Sequence, residues 1–522
     1  MTTTSPVTRP ETSPEQPARP LWWGALDGVV AGLLTVGLAT LVAAVLTALG
    51  QSSGQPAPIA AVGGAFIDRT PPWLKDFAVA TFGTNDKRAL LVGTVVVLTL
   101  VCAAIGMLAV RRLRVALVAF AVVGAIGVAA VLSRPGAGAT DALPTILGTV
   151  AGLWFLSRAA RPARPATAGA VNPGRRWLLG GAVGALAAYA GSLLGNGSAA
   201  ASVSREALTR APVRTTGVTV PPGADLKIPG LTPYIVPNAD FYRIDTAIVV
   251  PRLDANEWSL KVTGMVDREV EIDWKTLQSK QMQDALITLT CVSNEVGGDL
   301  IGNAVWTGWP VRELLAMAGP QAGADMVLQT SADGFTASTP LSALTDDRNA
   351  LLAIRMNGEP LPFEHGFPVR VVVPGLYGYV SATKWVTELK VTTYAADVAY
   401  WTPRGWSPKG PIKTASRIDV PKAGDVVKAG KVAVAGVAWD QHTGISKVEV
   451  QVDQQPWQPA RLAVDASIDT WRQWVYEWDA TPGSHDVRVR AYDAKGQVQS
   501  PLEAPPAPDG ATGIHVVTVR VQ

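Results

Sequence analysis

Five apolar runs in the first 200 residues constrain this chain more than any other feature. They cover residues 21–49, 90–110, 115–133, 142–156 and 177–194. A helix that crosses a bilayer needs about 20 mostly apolar residues. The runs therefore predict an all-α membrane region of about five helices over residues 21–197, the fourth short and the fifth rich in Gly and Ala. Of the 522 residues 48% are hydrophobic and 17% charged; apolar residues crowded into one end are a membrane signature, not a large soluble core. Residues 1–20, rich in Pro, Thr and Ser, read as a disordered tail. A net charge of +3 is too small to point to nucleic acid.

Charge predicts the orientation. Arg111, Arg112 and Arg114 follow the second run; Arg158, Arg161, Arg164, Arg175 and Arg176 lie between the fourth and fifth. The alternate loops carry Asp68, Asp76, Asp86 and Asp141 beside their basic residues. The positive-inside rule then puts the amino terminus inside, and five spans put everything after residue 197 outside the cytoplasmic membrane. Arg175-Arg176-Trp177-Leu178-Leu179 ahead of a mildly apolar span is similar to a twin-arginine export signal; the alternative is that the pair anchors the fifth helix by the same charge rule. A membrane haem needs axial ligands. The four histidines, His365, His442, His485 and His515, all lie outside the apolar runs, so electrons need an external partner. Asp27 reads as facing the interface or capping a turn. The helices are expected to serve as an anchor in membrane lipid or as a docking surface.

Residues 198–231 are Ser/Ala/Gly/Pro-rich and read as a linker. From 232 the texture changes to short strands and turns, with strands expected at 258–264, 286–291, 326–330, 336–339, 367–373 and 382–393 and a short amphipathic helix at 310–317. Residues 232–399 are thus an α+β domain. In residues 400–522, alternation over 431–439, 445–452, 471–478, 485–492 and 514–521 predicts an all-β immunoglobulin-like sandwich. Its cluster Trp457, Trp471, Trp474 and Trp478 is expected in the core rather than at an interface.

Of two cysteines, Cys102 lies in an apolar run, so no disulfide framework is expected. Cys291 stands in the soluble part, in Thr288-Leu289-Thr290-Cys291-Val292-Ser293-Asn294. A thiolate is a soft metal ligand; a lone buried thiol is otherwise a small hydrophobe. Downstream come Trp306-Thr-Gly-Trp-Pro-Val311, Met356-Asn-Gly-Glu-Pro-Leu361, His365-Gly-Phe-Pro-Val-Arg370 and Lys384-Trp385. This ordered set, over residues 230–522, resembles the sulfite oxidase family of molybdenum enzymes. The resemblance implies molybdenum and molybdopterin as cofactors, with Cys291 ligating the metal and the pterin dithiolene holding it otherwise. It further implies that His365 and Arg370 contact the cofactor, that Lys384 contacts its phosphate, and that Ala382 and Thr383 offer backbone N–H groups. Asn238, Tyr242 and Arg243 would touch the pterin. The last domain resembles the family's dimerisation domain, which implies a homodimer. Such cofactors are loaded in the cytoplasm in this family, which implies export of an already folded domain.

Departures from the family pattern bear on the substrate. The cysteine is followed by Val292-Ser293-Asn294-Glu295-Val296, without the arginines of animal and plant sulfite oxidases, and Phe335-Thr-Ala-Ser338 lacks their tyrosine. A dianion such as sulfite needs concentrated positive charge, so a neutral or cationic small molecule is the easier substrate. Tyr377 is read either as a substrate contact or as a turn aromatic. The expected function is a membrane-anchored molybdopterin oxidoreductase performing a two-electron redox or oxygen-atom-transfer reaction. The alternative is a non-catalytic cell-surface binding protein with a degenerate enzyme domain.

Overall fold

The structure is a computed structural model that describes residues 20–49, 51, 57–71, 81, 86–134, 137–160, 173–195, 198–210, 213 and 215–522. The expected tail, residues 1–19 of it, lies outside the described residues. The chain divides into two compact units, Met1–Asn196 and Gly197–Gln522.

The first unit is helical: α1 (Leu21–Ala48), α2 (Pro58–Arg69), α3 (Asp86–Arg111), α4 (Leu113–Leu132), α5 (Leu143–Ala159) and α6 (Pro173–Gly195). Among the described residues four stretches, not five, are long and apolar enough to cross a membrane: Leu21–Thr47, Ala89–Arg111, Leu113–Leu132 and Ala139–Ala159. The apolar part of α6, Trp177–Leu193, falls short, because Gly and Ala dilute it and the basic pair takes its first turn. The side chains of Arg175 and Arg176 lie outside the described residues. The helix α2 occupies a stretch read from the sequence as a loop.

α1 packs against α3, α5 and α6, and small residues permit the approach. A Cβ on Gly28 would run into the carbonyl of Cys102, and one on Gly37 into that of Gly184. Close backbone packing of this kind is what associates helices where lipid removes the hydrophobic drive between them. Asp27 neither faces an interface nor caps a turn. It is 1% exposed, and its Oδ1 accepts the Trp177 indole N–H at 2.8 Å.

In the second unit the linker is not a plain tether. A helix α7, Ser198–Arg210, docks on the following domain. Ser204 Oγ accepts the Ala255 N–H at 3.2 Å, and Arg205 donates to the Leu361 and Pro360 carbonyls at 2.8 and 3.0 Å. The domain that follows holds two sheets. One runs β2-β1-β10-β5-β6, from β1 (Ser259–Gly264), β2 (Val270–Asp273), β5 (Met326–Ser331), β6 (Thr336–Pro340) and β10 (Val386–Thr392). The other runs β3-β4-β7-β8, from β3 (Gln283–Thr290), β4 (Ile301–Pro310), β7 (Leu351–Met356) and β8 (Glu359–Pro360), with β9 (Arg370–Val372) paired to β7. β4 and β7 escape the sequence reading because they are buried almost throughout and show no alternation. The 367–373 strand shrinks to Arg370–Val372, since Phe363–His365 is a single 3-10 turn.

The last domain is a sandwich of two antiparallel-rich sheets. β11 (Ala415–Val420), β13 (Gly430–Trp439), β17 (Arg472–Ala480) and β16 (Arg461–Leu462) form one. β12 (Val426–Val427), β19 (His515–Val521), β18 (Gly483–Asp493), β14 (Ile445–Val452) and β15 (Gln458–Pro459) form the other. All five expected strands are present. Trp471, Trp474 and Trp478 are buried core side chains as expected; Trp457 is half-buried under the Arg490 guanidinium. Val437, Trp439 and Trp471 share one buried cluster with the preceding domain.

Candidate active site

β3 ends at Thr290, and the chain turns at once. The Cys291 N–H donates to the Leu300 carbonyl at 2.9 Å, and Asn294 Oδ1 accepts the Leu300 N–H at 2.9 Å. This closes the loop and holds the thiol inward: Cys291 is 8% exposed. Burial raises its pKa, and hydrogen bonds from Ser293 oppose the rise. The thiol lines a cleft of about 920 Å³ that opens to solvent.

Tyr242, Arg243, His365, Arg370, Ala382 and Lys384 line the same cleft. Burial, with the negative charge available to Cys291, pushes the Tyr242 phenol far up, while Arg370 works the other way. Two side chains follow from the turn at 363–366. Gly366 takes φ +108°, which a side chain rarely adopts, and reverses the chain so that Arg370 returns beneath His365. Arg370 Nη1 donates to the His365 carbonyl at 3.2 Å and Nη2 to the Ala382 carbonyl at 3.4 Å.

His365 is held neutral. Burial first, then the neighbouring Arg370 and Lys384, lower its pKa to about 3. Its Nε2–H donates to the Asn238 carbonyl at 3.3 Å, since a carbonyl can only accept. Nδ1 therefore carries a lone pair. Lys384 Nζ donates to Asp245 Oδ2 at 2.7 Å and to the Glu364 carbonyl at 3.0 Å; burial outweighs Asp245 and lowers its pKa to about 8.

Two expected contacts are not at the cleft wall. The Asn238 amide is spent on the Met356 carbonyl and on Asn357, so Asn238 serves the site through its carbonyl, on His365. Thr383 is fully buried behind the wall. Nor does Ala382 offer its N–H, which donates to the Gly378 carbonyl at 3.0 Å. Tyr377 lies against Gly510, outside the cleft lining. The sequence reading missed Asp245, which also accepts from Arg243 Nε at 2.9 Å; an acid two residues from Arg243 was its signal. It also missed Asp333 and Tyr379 on the cleft's outer wall, and Trp401 and Trp406 beside them, which lie in 400–411, a stretch read as a connection.

The donor set has an unsatisfied part. Arg370 is 5% exposed, its Nε is buried with no partner, and no carboxylate pairs with it among the described residues. A ring face of Trp306 lies 5.0 Å away. Burial lowers its pKa to about 10. Thr383 Oγ1 is likewise buried without a partner. A buried cation without a countercharge is costly, and a phosphate- or dithiolate-bearing ligand would supply one. Among the described residues no three His, Cys, Asp or Glu side chains gather round a metal. A metal beside Cys291 would draw its remaining ligands from such a cofactor.

Comparison with known proteins agrees. Residues 247–401 match the oxidoreductase molybdopterin binding domain family. That domain belongs to the sulfite oxidase family. Residues 415–489 match the bacterial Ig domain. Human mitochondrial sulfite oxidase is 29% identical over 323 residues, covering 52% of this chain and 58% of its own. Arabidopsis thaliana sulfite oxidase is 27% identical, covering 51% of this chain and 82% of its own. The sulfane dehydrogenase SoxCD from Paracoccus pantotrophus superposes with a TM-score of 0.49 at 22% identity, over 60% of this chain and 89% of that one. The chain spans little more than half the length of the human relative. The 247–401 region is a molybdenum-cofactor-dependent oxidoreductase domain, and the cofactor is molybdopterin with molybdenum.

Proposed function

We propose that the protein is a membrane-anchored oxidoreductase whose soluble unit works on the outer face of the cytoplasmic membrane, on a neutral or cationic small molecule. The buried, uncompensated Arg370 guanidinium beside Cys291 supports the reading most directly. When bound, molybdenum supplies two-electron or oxygen-atom-transfer chemistry; orientation and charge come from the protein. Cys291 holds the metal. Arg370 and Lys384 neutralise the cofactor, and Arg243 is held beside them by Asp245. Tyr242, whose phenol burial keeps protonated, donates into the cleft. Neutral His365 accepts at Nδ1.

The charge inventory supports the substrate class. The cleft holds Arg243, Arg370 and Lys384 against Asp245 and Asp333; an anionic cofactor uses up this small excess and leaves nothing for a dianion. Glu295, in place of an arginine, is exposed outside the cleft. Electrons pass to an external partner, and the last domain pairs with a second copy.

Molybdenum content and oxidised-pterin fluorescence, wild type beside Cys291→Ser, test this reading. Stoichiometric molybdenum in the wild type, with loss of metal or of the thiolate absorption band in the variant, is the expected result. Absence of molybdenum from protein made by a cofactor-competent host would overturn it.

A further inference from the structure

The outer wall of the cleft is built differently from its buried end. A row of rings runs from Phe335 through Tyr400, Trp401 and Trp406 to Tyr379, with neighbouring centroids 5.1 to 6.2 Å apart. Four of them, Phe335, Trp401, Trp406 and Tyr379, line the cleft that contains Cys291, and all four are half-buried. The row is fixed in place. Tyr379 Oη donates to the Ser407 carbonyl at 2.7 Å, Ser338 Oγ donates to the Pro408 carbonyl at 2.9 Å, and the Trp406 N–H reaches the Trp401 carbonyl at 3.3 Å.

A carboxylate stands in this wall. Asp333 accepts the Thr246 hydroxyl at 3.2 Å and the Phe335 N–H at 3.1 Å. Among the described residues no cation pairs with it. The cleft's own cations are engaged elsewhere: Arg243 and Lys384 with Asp245, and Arg370 with carbonyls at the buried end. Arg404, on the same segment, lies over the Tyr400 ring at 3.7 Å and outside the cleft lining. Ring faces are negative and attract cations, most of all weakly hydrated alkylated ones, and a nearby carboxylate adds to that attraction.

We propose that Phe335, Tyr379, Trp401 and Trp406, with Asp333, form a subsite for an alkylated organic cation, which is the non-reacting end of the substrate. The assignment rests on the reading of this cleft as the reaction site and adds the class of body it admits. Trp406 is the centre of the subsite, since it touches both Trp401 and Tyr379. Asp333 sets the charge preference. Sulfite lacks both an apolar body and a positive charge and gains nothing from this wall.

Titration calorimetry on the full chain in detergent tests the assignment, with molybdenum measured on the same preparation. The probes are choline and its uncharged carbon isostere 3,3-dimethylbutanol at constant ionic strength. Choline is expected to bind about tenfold tighter than the isostere. Asp333→Asn is expected to shrink that preference to about threefold or less, and Trp406→Ala to weaken choline about tenfold. Trp406→Phe, which keeps a ring, stays within about threefold of wild type and guards against a folding defect. Sodium sulfite is expected not to displace choline. Equal binding of choline and isostere, or choline binding indifferent to both Trp406→Ala and Asp333→Asn, would overturn the subsite. Stoichiometric molybdenum without choline binding overturns the subsite and leaves the oxidoreductase reading standing. Choline binding with these sensitivities in molybdenum-free protein does the reverse.

Discussion

Gln441, in the immunoglobulin-like domain, donates through Nε2 to Oγ1 of Thr290 at 2.9 Å, and Thr290 is the residue before the candidate metal ligand Cys291. The same amide reaches the Thr288 carbonyl at 3.1 Å. The Thr288 hydroxyl accepts the Trp471 N–H at 2.8 Å, and the Thr288 N–H donates to the Asp469 carbonyl at 2.9 Å. The last domain thus grips β3 up to the point where the thiol begins. Its partners are buried, so each loss is expensive.

Gln441→Leu is therefore expected to act on the site without touching the cleft. Leaving the Thr290 hydroxyl and the Thr288 carbonyl without their amide costs about 1–3 kcal/mol. Thermal unfolding should show the loss. The thiolate absorption band of the loaded protein should shift as well, which a purely structural defect far from Cys291 would not cause. A variant with lowered stability and an unmoved band would limit Gln441 to holding the domains together.

Arg370→Met separates the cofactor's need for charge from the fold's. In cofactor-free protein the change removes an uncompensated buried cation, and a long apolar side chain can fill the space over Trp306. Stability is expected to hold or rise, since replacing buried charge by packed hydrophobe is often favourable. Molybdenum content should nonetheless fall at least about tenfold, given about 1.5–3 kcal/mol for hydrogen bonds to a charged group. Parallel loss of stability and metal would mean that the guanidinium is structural.

The pH dependence of His365 has a definite sign. Its native pKa, about 3, lies below the unfolded value of about 6.5. Between these values the unfolded chain holds a proton that the native state refuses, so stability rises with pH and is lost as the pH is lowered. The contribution is complete above about pH 6.5 and drains away toward pH 3. Acid unfolding of His365→Gln beside wild type should show a shallower decline over that window in the variant. Equal slopes would mean the imidazole is protonated in the native state.

How much of this was legible in the sequence follows from what kind of signal each part carries. The carboxy-terminal strands alternate and are half-buried, so period-2 patterning exposed all five. β4 and β7 are covered on both faces and left no alternation to read. Cys291, His365, Arg370 and Lys384 converge because the sequence set their order and residue types against a known family pattern. Asn238 and Ala382 differ: being near the site in sequence does not reveal whether an amide or an N–H is already spent on the chain itself. Asp245 is invisible for the opposite reason. Its importance lies in two cations brought to it from 2 and 139 residues away.

Lys384 predicts how firmly the cofactor is held as pH rises. In the cofactor-free site its ammonium is lost above about pH 8, against about 10.4 in the unfolded chain. Cofactor-free protein therefore gains stability from this group between those values, because the unfolded state binds the extra proton. A neutral amine, however, cannot pair with an anionic ligand. Cofactor affinity, followed by pterin fluorescence from pH 7 to 10, is expected to fall above about pH 8 in wild type, where the free site loses its ammonium. Lys384→Met should bind more weakly throughout, with a flat profile. A wild-type profile as flat as the variant's would remove Lys384 from the cofactor contacts.

The helical unit makes its own prediction, because under the proposed membrane anchoring the span count decides where residues 198–522 go. Four stretches are long and apolar enough to cross, and the fifth, Trp177–Leu193, is short. Four crossings return the chain to the side of its amino terminus; a fifth carries residues 198–522 to the other side. A weakly apolar stretch preceded by Arg175-Arg176 suits the twin-arginine route, which moves domains already folded around a cofactor, better than ordinary insertion. Protease added to intact cells should degrade the soluble unit of wild type. Replacing both arginines by lysine keeps the charge and so keeps the positive-inside signal, yet is expected to leave the unit protected and still loaded with molybdenum. Degradation of the lysine variant at the wild-type rate would mean that the fifth helix crosses by its charge alone. Protection of both forms would place the soluble unit inside.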